Sequence, residues 1–376
     1  MLPDLIGGGV ERGTLEFGRY LAEHGHRSIV ISGGGRLVDQ LERENSLHIT
    51  WDVGSKTWRC LRYILPLRQF LLREQVDVLH LRSRMPAWIG YMAWRSLPRE
   101  KRPALVTTFH GFYSVNCYSA IMTKGERVIA VSESIRKHIS ERYKVSRPVR
   151  LIFRGVDDTF FAPEKVSPER IAALRSEWDI QEKPIIMLPG RLTRLKGQDV
   201  FLKSLLHLQD QPYQAILVGD VNENPGFVSE LKTIVRENHL EDKVRLVGHC
   251  ADMPTALMLA DLVLSTSSRE PESFGRTTVE AMAMGKAVIA TAHGGSLETV
   301  VSGENGWLVN PSDPLDLARG IREALSDHNR LKAYGIAGQQ RVRERFTATS
   351  MCEQTLSVYK ELLASKRGGV CKLPKT

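Results

Sequence analysis

Short apolar, β-branched runs alternate along this chain with longer stretches whose apolar residues recur at helical spacing. Residues 26–32, 76–81, 104–109, 127–131 and 149–153 read as strands buried on both faces, because their apolar positions are continuous rather than alternating. Residues 15–24, 59–74 and 133–143 between them read as helices. A turn-rich stretch over 157–169 leads into a second series. Its strands fall at 185–188, 214–218, 244–246, 262–264, 287–290 and 306–309, with helices at 198–206, 227–238 and 315–325. Two successive βαβ series predict an α/β protein of two doubly wound, Rossmann-like parallel-sheet domains, with ligands at the carboxyl ends of the strands. The pattern divides the chain at 1–163, 164–350 and 351–376; the last segment holds a helix, about 351–364, expected to pack back on the first domain. A first strand ought to precede the loop 5–13, yet only residues 1–4 are available. Either that strand is a stub or the chain starts upstream; the second is the expectation, since an absent central strand would leave neighbouring apolar faces exposed.

Composition changes this picture little. A chain of 376 residues exceeds one ordinary core, in keeping with two domains. No apolar run reaches the roughly 18 residues of a membrane-spanning helix, and no basic–apolar–small leader opens the chain. Cys60, Cys117, Cys250, Cys352 and Cys371 show neither CxxC nor metal-like spacing, which suits reduced thiols in a cytosolic protein.

Charge adds more. Residues 1–163 carry 25 Lys+Arg against 16 Asp+Glu, whereas the remainder carries 27 of each, so the whole net charge of +9 belongs to the first part. A one-sided basic domain suits an anionic partner such as lipid headgroups, a phosphorylated acceptor or nucleic acid; a well-solvated surface is the plain alternative. Trp51, Trp58, Arg59, Arg62, Tyr63 and Arg68 fall close together and suit an anionic glycolipid at a membrane face, unless the aromatics pack in the core.

Four segments carry candidate chemistry. The first places Glu272 and Glu280 eight positions apart around Ser273, Phe274 and Gly275. A helix beginning near Phe274 or Gly275 would turn those two amides toward an anion. Glu280, in its second turn, can accept hydrogen bonds from two ribose hydroxyls, and Glu272 can hold sugar hydroxyls. A capping loop followed by a solvated glutamate would have the same spelling. The second segment, Gly190 to Gly197, sends Arg191 and Lys196 from the end of strand 185–188, where two cations can neutralise a diphosphate. It is not a P-loop, because glycine follows the lysine. In the third, Gly7, Gly8 and Gly9 precede a helix and let backbone approach a phosphate, although the pattern misses GxGxxG. The fourth presents His110 at the end of strand 104–109, within reach of sugar hydroxyls, where a structural histidine is the commoner outcome.

Together these segments resemble family 4 of the retaining glycosyltransferases, which have the GT-B architecture. The likeness runs from Gly8-Gly9-Val-Glu-Arg12 through Thr107–Gly111, Val131-Ser-Glu133, Gly155-Val-Asp157, Gly190-Arg191 and Lys196-Gly197 to Glu272, Glu280 and Gly294-Gly295. The resemblance implies two domains facing a cleft, with Arg191 and Lys196 on the donor diphosphate and Glu280 on the ribose. It places Glu272, Ser273 and the Phe274 and Gly275 amides on the donor sugar, Gly8 and Gly9 on the N-terminal side, and His110 near the reacting sugar. Arg154 stands where the family often has Asn, and Ser273 and Glu270 alter the usual donor loop, so donor identity does not transfer.

No Asp-x-Asp triplet occurs, so the expected reaction is metal-independent and without a cofactor beyond a nucleotide-diphosphate sugar as donor substrate. The implied acceptor is a glycan or lipid-linked hydroxyl in lipopolysaccharide or envelope polysaccharide synthesis. The implied place is the cytoplasm, peripheral at the inner membrane's cytoplasmic face. A nucleotide-sugar epimerase of the same fold is the enzymatic rival. A basic nucleic-acid-binding protein is the distant one, without any RNP-like, zinc or helix-turn-helix pattern, and no nucleic-acid partner is expected.

Overall fold

The computed structural model describes residues 1–145 and 147–368. They form two compact units: Met1–Gly155 with the segment from Ala348 onward, and Val156–Thr347. This division differs from boundaries at 163 and 350. Val156 and Thr347 form a parallel bridge, with Val156 N donating to Phe346 O at 2.9 Å, so both crossings are tied within the second unit.

The first unit is a parallel sheet built in two ladders. Strand β1 (Ile29–Ser32) pairs with β2 (Leu47–Thr50), while β3 (Val78–Leu81), β4 (Ala104–Phe109), β5 (Arg127–Ala130) and β6 (Val149–Leu151) pair in sequence. Residues 1–3 run between the ladders and take the place of the missing first strand. Leu2 N donates to Ile31 O (3.2 Å) and Gly33 N to Pro3 O (2.7 Å) on one side. On the other, Met1 N donates to His80 O (2.8 Å) and Arg82 N to Met1 O (3.0 Å). Leu2 is fully buried there, so residues 1–3 cover the apolar neighbours.

The first helix, Gly9–Glu23, begins earlier than the apolar spacing implied, directly at the glycine loop. The stretch 59–74 is a 3₁₀ turn, Trp58–Tyr63, running into the helix Ile64–Arg73. The last helix, Ala348–Gly368, packs Met351, Cys352, Val358, Tyr359 and Leu362 against Phe17, Ala104, Val106, Ile129 and Ile152 of the same unit. Its Tyr359 hydroxyl meets His80 Nδ1 at 2.6 Å. Cys371 lies outside the described residues.

The second unit is one six-stranded parallel sheet. Its strands are β7 (Ile185–Pro189), β8 (Gln214–Val218), β9 (Val244–Gly248), β10 (Leu262–Ser265), β11 (Ala287–Thr291) and β12 (Gly306–Val309), in the order β12-β11-β10-β7-β8-β9. β7, β8, β10 and β11 are buried along their whole length, which explains their unbroken apolar spelling. From β7 the chain winds outward through β8 and β9, then returns to β10 and winds the other way. The carboxyl ends of β7 and β10 are therefore a topological switch point, where diverging loops leave a crevice.

Candidate functional site

The loops after β7 and β10 meet at that switch point and are laced together. Thr266 Oγ1 donates to Lys196 O (3.0 Å), Ser268 N to Leu195 O (3.1 Å) and Ser268 Oγ to Arg194 O (3.0 Å). Gly197 makes this possible: its φ of +71° is left-handed, and a methyl group there would collide with the Thr266 carbonyl. A third loop, after β11, closes from the far side, where Gly295 N donates to Glu272 O at 2.7 Å. Gly294, at φ +59°, likewise has no room for a side chain against the Glu272 carbonyl.

This lacing sets the Lys196 ammonium on the Glu272 carboxylate, with side-chain exposures of only 26% and 16%. Ser267 Oγ donates to the same Glu272 oxygen at 2.6 Å, and His293 Nε2 lies 2.8 Å from Ser267 O. Burial pushes the Glu272 carboxyl up, but the Lys196 charge, hydrogen bonds from Lys196 and Ser267, and His293 together hold it below its ordinary range. The pair is thus an ionised couple in a sheltered pocket of the loops.

The other donor-side candidates are arranged differently. Arg191 is 62% exposed and reaches Glu223, in the loop after β8, at 3.5 Å. The helix after Glu272 spans Arg276–Ala283 and is capped by Gly275, so the Phe274 and Gly275 amides lie at its start. The Phe274 ring is buried edge-on to Phe346, and Ser273 is half-buried. Glu280 sits one turn into the helix and pairs with Arg276 at 3.3 Å, both largely enclosed. Sequence reading missed Arg276 and Ser267; the i,i+4 spacing of Arg276 and Glu280 was the available signal for the first.

Gly8, Gly9 and His110 belong to the first unit. Gly8 caps the helix Gly9–Glu23, and the glycine loop follows the stub strand. His110, half-buried, leaves the end of β4, where Arg82 Nε donates to its Nε2 at 3.4 Å. Arg82 also donates to Gly13 O at 3.1 Å. A side chain on Gly13 would strike the Arg154 guanidinium, so this glycine lets Arg154 lie close against the helix. Burial, then Arg82, Arg154 and His80, push His110 well below its ordinary pKa, which keeps the imidazole neutral. Of the aromatic cluster, Trp51 stacks on Tyr63 (5.6 Å) and both pack against the core, while Arg59 and Arg62 stay exposed; the Trp58 side chain lies outside the described part.

Residues 7–160 match the model of Glycosyltransferase Family 4, and residues 171–341 that of Glycosyl transferases group 1. A glycosyltransferase from Rickettsia africae ESF-5 is 34% identical and superposes on 96% of this chain and 97% of its own, with a TM-score of 0.89. The chain is a family 4 glycosyltransferase. Its GT-B fold, two Rossmann-like α/β domains, is the one the resemblance implied. The transferase is also similar to the Anabaena protein HepE, solved in complex with UDP-glucose: 25% identity, 96% of each chain covered, TM-score 0.82. Among curated proteins it is 30% identical to the lipopolysaccharide core biosynthesis mannosyltransferase LpcC of Rhizobium leguminosarum bv. viciae, over 58% of this chain and 62% of that one.

Proposed function

We propose that this glycosyltransferase moves a sugar from a nucleoside diphosphate to a hydroxyl acceptor with retention at the anomeric carbon and without a metal ion. The observation that carries the reading is the Lys196–Glu272 couple at the switch point of the second unit. When a donor enters, the Lys196 ammonium turns to the diphosphate, joined by Arg191 and by the amides of Phe274 and Gly275 at the helix start. Glu272, kept ionised, accepts hydrogen bonds from sugar hydroxyls, and Glu280, held in place by Arg276, accepts them from the ribose. The solved complex of HepE with UDP-glucose supports this class of donor.

As the sugar–phosphate bond opens, negative charge grows on the leaving nucleotide. Once the donor is bound, Lys196, Arg191 and the helix dipole already face the oxygen on which that charge appears, so their attraction is strongest in the transition state. The incoming hydroxyl can pass its proton to the departing phosphate oxygen on the same face, so Glu272 need not act as nucleophile or base. In His110, Nε2 accepts from Arg82; the proton therefore sits on Nδ1 and offers a donor to a sugar hydroxyl. Gly8 and Gly9 complete the acceptor-side unit.

The basic surplus of the first part and the likeness to LpcC support a lipid-linked envelope glycan, such as lipopolysaccharide, as acceptor, worked on from the cytoplasmic side of the inner membrane. A panel of nucleotide sugars tested by thermal shift identifies the donor, since ligand at about 100 times its Kd stabilises by about 2.7 kcal/mol. Proton NMR of the transferred sugar then reads the anomer, with and without chelator. An inverted product, activity abolished by the chelator, or interconversion of the nucleotide sugar without any acceptor would overturn the proposal.

A further inference from the structure

The stretch 56–73 of the first unit contains Lys56, Arg59, Arg62, Arg68 and Arg73 and no aspartate or glutamate. Its inner side is fastened into the core by Cys60, Leu67, Phe70 and Leu71, all nearly inaccessible. Its outer side shows two leucines, Leu61 at 45% and Leu65 at 68% exposure. The 3₁₀ turn Trp58–Tyr63 runs directly into the helix Ile64–Arg73, so these two exposed leucines, four positions apart, lie on one continuous helical run whose other side is buried. Arg59 and Arg62 flank Leu61, and both are exposed, as is Lys56. The Arg62 guanidinium lies over the Tyr63 ring at 4.8 Å and donates to the Tyr63 hydroxyl at 2.8 Å, and that ring stacks on Trp51.

A single exposed leucine needs no explanation. Two on the outer side of an anchored element, flanked by Lys56, Arg59 and Arg62 with Asp52 the one acid beside Arg62, make a surface with two demands: an apolar layer for the tips and negative charge beside it. An anionic bilayer supplies both, acyl chains beneath phosphate headgroups. The charge excess of residues 1–163 extends the same attraction beyond this stretch. No helix among the described residues is long and apolar enough to cross a membrane, so this contact is with its surface.

We propose that the face formed by residues 56–65 docks on an anionic membrane, with Leu61 and Leu65 entering the acyl boundary and Lys56, Arg59 and Arg62 engaging headgroup phosphates. It deepens the proposed function, on which its purpose rests: a docked transferase meets a lipid-linked acceptor in two dimensions rather than three.

The test is co-sedimentation of the full chain with vesicles of phosphatidylcholine, with and without phosphatidylglycerol. The protein should bind only the phosphatidylglycerol vesicles, and less as salt rises. Each charge near the surface is worth about fivefold, so Arg59→Gln with Arg62→Gln lowers partitioning about 25-fold. Leu61→Gln with Leu65→Gln lowers it at least about tenfold. None of these side chains belongs to the donor machinery, so both double variants should keep the melting temperature and its rise with UDP-glucose, or with whichever nucleotide sugar stabilises the parent protein. Absence of any nucleotide response, with vesicle binding intact, would reject the transferase chemistry while supporting the docking face. No binding to phosphatidylglycerol vesicles, or binding indifferent to both double substitutions, overturns the proposal. So does a dimer, seen by light scattering, that Leu61→Gln with Leu65→Gln dissociates, since the face would then belong to a second copy.

Discussion

Replacing Lys196 by methionine removes the charge of the Lys196–Glu272 couple while keeping most of the apolar stem. The couple is mostly enclosed, at 26% and 16% exposure, so the remaining carboxylate cannot simply return to water. Removing one partner of a buried pair costs about 3–5 kcal/mol; partial exposure and the surviving Ser267 hydrogen bond put this site lower, at about 2–3 kcal/mol. The pH dependence distinguishes this cause from lost packing. In the parent protein burial raises the Glu272 pKa, but Lys196, Ser267 and His293 outweigh it and leave it below 4.5. Its contribution to stability is then present above the unfolded-state pKa and lost as pH falls through the folded value. In the variant burial dominates, the pKa rises, and the ionised group now costs stability at neutral pH. The gap between the two proteins is therefore widest near pH 7 and closes in acid, as pH falls through the parent's lowered folded value and both carboxyls become protonated. Urea unfolding at the two pH values measures it, with Lys196→Met plus Glu272→Gln as the control that returns stability to within about 1 kcal/mol. Turnover of Lys196→Met at saturating donor should fall about 10²- to 10³-fold, the usual loss for one transition-state donor. A stability loss equal at both pH values, or turnover within about tenfold of the parent, would refute the reasoning.

Two further outcomes follow from the loops and from the first unit. Gly197→Ala should destabilise by about 2 kcal/mol or more, because it adds left-handed strain to a collision with the Thr266 carbonyl. Gly248→Ala, at φ +77° with open space around it, should cost only about 1 kcal/mol; equal losses by chemical denaturation would show that the collision is relieved at no cost. His80 and His110 are both held well below 6.5 by burial first and then by Arg82, so the unfolded chain binds their protons more readily. Their stabilising effect is full above about pH 6.5 and declines by up to about 2 kcal/mol each by pH 5. Unfolding curves across that window should flatten in His80→Gln with His110→Gln, and an unchanged slope would count against neutral imidazoles in the folded state.

Residue order alone laid down the two βαβ series, because strands buried on both faces must be spelled as unbroken apolar runs, and β7, β8, β10 and β11 are so spelled. It also determined the family, since Gly190 to Gly197 and Glu272 to Glu280 keep their residue types and order along the chain. Strand order it did not determine. Nothing in the spelling of β7 and β10 says that they are neighbours, and that adjacency is what brings Lys196 onto Glu272 across a gap of 76 positions. The register of residues 1–3 was out of reach for a related reason: it comes from hydrogen bonds to Ile31, Gly33, His80 and Arg82, distant in the chain and supplied only once the ladders flank it. The aromatic cluster near Tyr63 had two readings of equal local merit. Packing decided between them, turning Trp51 and Tyr63 to the core and leaving Leu61 and Leu65 outside. Local spelling fixes which face of an element is apolar on average, whereas burial of an individual side chain depends on neighbours that only the folded chain assembles.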